Sequence, residues 1–247
     1  MSGHSKWANI KNKKAKGDAA KSKIFTKIGR EIAVAVKLGG SDPASNSKLY
    51  DAIANAKMNN MPNDNISRSI KKAAGELGNI NYENMLYEGY GIGGSAVIIE
   101  VLTDNKNRIA GEVRHYFDKF GGAMGTSNCV SYMFDRKGVV VCERNEKSED
   151  DIYETVLDAG AEDVNIEDDV FEVYTTQANL SSIRNYFEEA GFTLISAGME
   201  WLPQNLVTLE GENLEKFLKM IDAMEDNDDV QKVFHNVDLP EEEDEEE

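Results

Sequence analysis

The chain has 247 residues, 40% of them hydrophobic and 29% charged, with a formal net charge of −18. That length supports two or three domains with their own cores. No apolar run is long enough to span a bilayer, and the polar, basic N-terminal stretch lacks the apolar segment of a secretory signal, so a cytoplasmic protein is expected.

Residues 1–17 (MSGHSKWANIKNKKAKG) show no apolar period. Lys6, Lys11, Lys13, Lys14 and Lys16 crowd together, with Trp7 and Ile10 the only large apolar residues, and the segment reads as an arm. Gly17-Asp18 opens a helix with Asp18 as N-cap, and Gly39-Gly40 ends it near Leu38. On a helical wheel Ile24, Phe25, Ile28, Ile32, Ala35 and Val36 share one face. Lys23, Lys27, Arg30 and Lys37 fall on the opposite side, an outer cationic stripe.

A second helix is expected over about Ala44–Asn59, with Leu49, Ile53 and Ala56 inward. Met61-Pro62-Asn63 breaks it, and Asn63 caps a third helix through Ala74. Ile66 and Ile70 face in, while Arg68, Lys71 and Lys72 face out. The short break also suits a helix-turn-helix, although any three-helix bundle contains such a pair.

After Gly78 the pattern changes. Ser95–Thr103 (SAVIIEVLT) is a strong β-former, Asn105–Phe120 has helical spacing, and Cys129–Phe134 reads as a strand. Val139–Trp201 then gives strand, helix, strand, strand, helix, strand, the ferredoxin-like order. Past Pro203 come a strand (Leu206–Glu210), a helix (Leu214–Met224) and a strand (Val230–Val237). The expected fold class is α+β: an N-terminal three-helix bundle, then two ferredoxin-like α+β domains, one inserted into the other. The boundaries read as 1–78 for the helical domain and 79–137 plus 203–238 for the split domain. The inserted domain then spans 138–202, with an acidic tail at 239–247 that composition marks as disordered.

Charge is unevenly divided. Met1–Lys72 carries 15 Lys and Arg against 5 Asp and Glu, whereas the rest carries 12 against 40. Surface charges reach only about 8–10 Å in salt, so a basic end can hold phosphates on an acidic protein. Such asymmetry points to nucleic acid. The candidate contacts are Lys6, Trp7, Lys11, Lys13, Lys14, Lys16, Lys21, Lys23, Lys27, Arg30, Lys37, Arg68, Lys71 and Lys72. The lysines and arginines would release counterions from phosphates. Trp7 either stacks on an unpaired base or packs on the bundle.

Other chemistries find little support. His4, His115 and His235 lack ligand spacing, and no GxSxG or HExxH occurs, so no enzyme, metal site or cofactor is expected. Cys129 and Cys142 form no CxxC pair and read as small buried thiols. Gly89–Gly94 precedes a strand instead of following one, the wrong context for a dinucleotide site, and reads as a turn, as does Gly121–Gly125. Phe171 and Tyr174 differ in parity and point to opposite sheet faces, which argues against aromatic single-strand recognition there.

Several segments together resemble the YebC/PmpR family of probable transcriptional regulators: GHSKWANIKNKKAKGDAAKSKIFTKIGREI, LGGSDPASN, MPNDNISRSIKKAAGE, YEGYGIGGSAVIIEVLTDNKNR, EVRHYF and GTSNCVSYMFDRKG. The resemblance is densest over the first 138 residues. It implies a helical domain and two α+β domains, DNA binding and transcription regulation. Some members act instead in translation, on ribosomes held at proline-rich stretches, and a mitochondrial translational activator belongs to the same family. Ile92 stands where the family commonly has proline, and Cys129 where a small residue is common. The resemblance supplies no catalytic residues. A DNA-binding transcriptional regulator is therefore the leading expectation. A translation factor bound to ribosomal RNA is the alternative, and neither needs a membrane or a small-molecule substrate.

Overall fold

The structure, a computed structural model, describes residues 17–75 and 81–240, with side chains from Lys21 onward. Three helices come first: α1 (Gly17–Gly39), α2 (Ser47–Met58) and α3 (Asn63–Gly75). Ile28, Ile32, Ala35 and Val36 of α1 meet Leu49, Ala52 and Ala56 of α2, Met61 of the turn and Ile66 of α3 in one buried cluster. The apolar stripe of α1 is narrower than the wheel suggests, because Phe25 is only partly buried and Ile24 is 38% exposed. The helix is already formed at Gly17, so Asp18 lies within it instead of capping it.

The second helix starts three residues later than its composition suggests, because Asn46 is the residue that can cap it. The Asn46 carboxamide oxygen accepts the Leu49 N–H at 3.1 Å, the usual device for satisfying a free helical donor. Its Nδ2 donates to the carbonyls of Ala35 and Gly40, both at 2.8 Å, which ties the end of α1 to the start of α2.

The next elements are β1 (Glu83–Tyr90), β2 (Ala96–Thr103), α4 (Lys106–Lys119), β3 (Ala123–Met124) and β4 (Phe134–Glu143). They are followed by α5 (Glu149–Asp158), β5 (Asp163–Ile166), β6 (Val170–Thr175), α6 (Leu180–Glu189) and β7 (Leu194–Pro203). The chain closes with β8 (Val207–Thr208), α7 (Gly211–Glu225), β9 (Val230–His235) and β10 (Val237–Asp238).

Two compact units result. The larger runs from Asp18 to Phe134 and resumes over Pro203–Val237, while the smaller takes Asp135–Leu202. In the larger unit the sheet order is β3-β1-β2-β9, so a strand after the smaller unit pairs with one before it. Strands β1, β2, β3 and β9 pair antiparallel, with Glu83 opposite Thr103 at one end of β1. Strand β2 is buried along almost its whole length, Ala96 through Ile99 at 0% exposure, which is why it reads as a continuous apolar run. Helices α4 and α7 pack together on this sheet, and the Phe217 ring meets His235 edge-on at 5.1 Å.

Strand β1 is absent from the sequence-based expectation. Its outer half (Glu83, Asn84) is exposed and polar, and only Glu88 and Gly89 are buried, so it carries no apolar alternation to detect. The strand expected over Cys129–Phe134 is a correction. Ser131–Met133 is a single 3-10 turn, and β4 begins only at Phe134. The loop is bent because the buried Glu88 carboxylate accepts the N–H groups of Asn128, Val130 and Ser131 at 2.8, 3.0 and 2.8 Å. Those donors are then unavailable to a ladder.

The smaller unit has strand order β5-β6-β4-β7 around the βαββαβ path. Its helical face is filled by Val140, Cys142, Ile152, Phe171, Val173, Ile183 and Phe187. Val139, Val141 and Val170 form the other face with Tyr174, so Phe171 and Tyr174 do point to opposite sides.

Candidate nucleic-acid interface

Lys6, Trp7, Lys11, Lys13, Lys14 and Lys16 lie outside the described residues. Lys21 is exposed at the start of the described side chains. The four cations of the expected outer stripe are held within the larger unit. Lys23 pairs with Asp226 at 2.7 Å, and Lys27 Nζ donates to the Glu225 carbonyl at 2.7 Å. Arg30 donates to the Asp228 carbonyl and to Asp229 Oδ1. Lys37 reaches the Asn81 carboxamide oxygen at 3.0 Å. Positions 23, 27 and 30 therefore form a row one turn apart that faces the C-terminal end of α7. Unsatisfied carbonyls and the helix dipole put negative potential there, and three carboxylates follow in sequence. The wheel of one helix separates its own polar and apolar faces, but it cannot reveal a second, acidic neighbour.

Asp229 anchors this junction. Its side chain is 5% exposed and takes three partners: Arg30, Arg108 at 2.6 Å and Thr103 at 2.7 Å. Burial pushes its carboxyl up, but the hydrogen bonds from Arg108, Thr103 and Arg30 outweigh burial and hold it below the ordinary range. The bond to Asp229, with a further one to Asp104, raises Arg108. Asp229 and Asp226 were missed because the segment Glu225–Asp229 reads as an acidic turn; its signal was the run of carboxylates after an amphipathic helix.

The outward face of α3 is different. Arg68, Lys71 and Lys72 are exposed and enter no ion pair among the described residues. Asp64 and Ser67 are exposed beside them, and Ile66 anchors the opposite side in the core. A tight turn positions the helix after α2: the Met61 N–H returns to the Ala56 carbonyl at 2.9 Å, and the Pro62 carbonyl accepts the Asn65 and Ile66 N–H groups. Buried Met61 seals the corner, giving two helices joined by four residues with a cationic outer face.

The remaining candidates behave as turns or core. At Gly93 φ is +67°, a left-handed conformation that favours glycine. Burial pushes the Cys142 thiol up to about 12. Among the described residues no group of His, Cys, Asp or Glu could hold a metal, and no helix is long and apolar enough to cross a membrane.

This arrangement of bundle and split sheet has known counterparts. The model of the TACO1/YebC protein N-terminal domain matches residues 5–76, and that of the TACO1/YebC second and third domain matches residues 82–237. The chain belongs to the TACO1/YebC family. A probable transcriptional regulatory protein of Acetivibrio thermocellus is 58% identical over 238 residues, covering 96% of this chain and 98% of that protein. One from Thermoanaerobacter pseudethanolicus is 52% identical and covers 99% of this chain and 100% of its own length. The crystal structure of the conserved hypothetical protein Aq1575 from Aquifex aeolicus superposes with a TM-score of 0.82 at 43% identity, covering 94% of this chain and 96% of that one. This TACO1/YebC chain is thus matched over nearly its whole length by relatives named as regulators.

Proposed function

We propose that the chain is a nucleic-acid-binding regulator of transcription that seats on the phosphate backbone through the outer face of α3. The observation that carries this reading is the exposure of Arg68, Lys71 and Lys72 on a helix joined to α2 by a tight turn, while Lys23, Lys27 and Arg30 of α1 are engaged by Glu225–Asp229. The names of the relatives support a regulatory role. The lysines at positions 6–16 add a second, sequence-independent contact. In this reading residues 1–78 form the nucleic-acid module, the split domain 79–137 with 203–238 carries it, and 138–202 is an inserted domain. The protein works in the cytoplasm and performs no catalytic step.

The composition of α3 favours a second reading. Its exposed face offers cations and short polar groups, with few side chains suited to paired contacts on base edges. That set recognises a backbone shape more readily than a sequence, as a factor on ribosomal RNA does. Crosslinking in cells followed by sequencing of bound DNA and RNA separates the two. Enrichment of promoter DNA is the expected result. Enrichment of ribosomal RNA alone would transfer the protein to translation, and no enrichment of either would rule out nucleic acid as the partner.

A further inference from the structure

Beside the exposed face of α3 lies a groove of about 610 Å³ between α1, α3 and the start of the segment leading into β1. Its volume is in the range that accepts a small organic ligand. Among the described residues its lining carries no carboxylate, while Lys37 and Lys72 are cationic and Arg30, also in the lining, is paired with Asp229. This stands out in a chain with 45 Asp and Glu. Phe25, Val34 and Tyr82 supply apolar and aromatic surface, while Asn81 and Ser69 supply groups that both donate and accept hydrogen bonds. Tyr82 is held in place, with the Arg30 guanidinium 5.7 Å from its ring centroid.

We propose that this groove takes one unstacked base of the bound nucleic acid, with the adjoining phosphate against Lys72 and Lys37. Lys72 belongs to both features: it lines the groove and continues the row of Arg68 and Lys71. A strand tracking α3 therefore passes the groove mouth. A flat aromatic base meets Tyr82 and Phe25, its edge groups meet Asn81 and Ser69, and the negative charge of the adjoining phosphate matches the cationic rim. A fully paired duplex keeps its bases stacked and leaves the groove unfilled, so the groove selects strands with an unpaired base. The inference rests on the reading of α3 as the phosphate contact and adds base capture to it.

The test uses the full chain and labelled single strands of about 16 nucleotides, in DNA and RNA form, each beside an abasic strand of equal length and phosphate number. Binding is followed by fluorescence anisotropy at low salt. The chain should bind the natural strand about tenfold more tightly than the abasic one, the usual worth of a stacked base. Val34→Trp fills the groove and Tyr82→Ala removes its aromatic wall. Each should reduce binding of the natural strand to the abasic level and leave abasic binding unchanged. If Val34→Trp weakens both strands alike, it has disturbed the bundle, and Tyr82→Ala decides by the same comparison. Equal affinity of the wild-type chain for natural and abasic strands overturns base capture and leaves phosphate binding intact; the groove would then suit another occupant, such as an acidic peptide. Wild-type-like binding by Tyr82→Ala overturns it as well. If the wild-type chain binds neither strand, the reading of α3 fails and base capture with it.

Discussion

Two buried carboxylates do most of the local organisation in the larger unit. Glu88 is 3% exposed and is satisfied by three backbone N–H groups of the loop after β3. Burial pushes its carboxyl up, and the three backbone hydrogen bonds and one from the Ser131 side chain bring it below 4.5. Glu88→Gln replaces one acceptor oxygen with a donor, leaving buried N–H groups facing an NH2. The expected loss is about 2–3 kcal/mol in denaturant unfolding at pH 7. Asp229 is held low in the same manner. A carboxylate whose folded pKa lies below its unfolded value stabilises the fold above the unfolded value, near 4, and that contribution disappears as pH falls through the folded one. Glu31 has the opposite sign. Burial raises it against a hydrogen bond from Asn55 and the charge of Lys232, so protonation of Glu31 relieves a cost. Asp151 and Glu212 are held low as well, so among the described residues four lowered carboxylates stand against Glu31, and the melting temperature should fall as pH drops below about 4. Asp229→Asn should have a shallower acid limb, because it removes one of these favourable contributions; an unchanged limb would show that Asp229 does not couple folding to protons.

At the scale of elements, the sequence displayed whatever depends on a single segment's own pattern. The α1 and α2 cores, the buried run of β2 and the six elements of the smaller unit follow from periods of 3.6 or 2. Elements that depend on a distant partner were not legible. Strand β1 is defined by pairing with β2 and β3 instead of by apolar alternation. The segment Cys129–Phe134 looks like a strand until Glu88 claims its N–H groups. The cations of α1 look solvated until α7 arrives beside them. The cap of α2 belongs to this class too, since Asn46 serves α1 and α2 at once. Asn46→Ala loses the Leu49 bond and leaves the Ala35 carbonyl without it, so the expected cost is about 2 kcal/mol, read from the shift in denaturation midpoint. The binding face was legible in part. Arg68, Lys71 and Lys72 were visible as outward positions of an amphipathic helix, although Asn63, expected as its cap, is its first helical residue; the engagement of Lys23, Lys27 and Arg30 required knowledge of Glu225–Asp229.

Over the whole molecule, charge is unevenly divided along the chain. Residues 135–202 carry 17 Asp and Glu against 5 Lys and Arg, a composition that repels phosphate. The first 72 residues carry the positive excess, so nucleic acid has one favourable region on a chain of net charge −18. Within that region two sets of cations differ: Arg68, Lys71 and Lys72 on α3 are exposed, whereas Lys23, Lys27 and Arg30 on α1 are engaged by Glu225–Asp229. The slope of log affinity against log salt counts the phosphates neutralised, and it shrinks by about 0.7–0.9 for each phosphate that no longer meets a cation. Two triple variants of the full chain measure the distinction on one nucleic acid: Arg68→Gln with Lys71→Gln and Lys72→Gln, and Lys23→Gln with Lys27→Gln and Arg30→Gln. The α3 triple should reduce the slope by about 2–3, and the α1 triple should leave it nearly unchanged, provided circular dichroism shows each variant folded. A slope reduced by the α1 triple and untouched by the α3 triple would contradict the assignment of phosphate binding to α3.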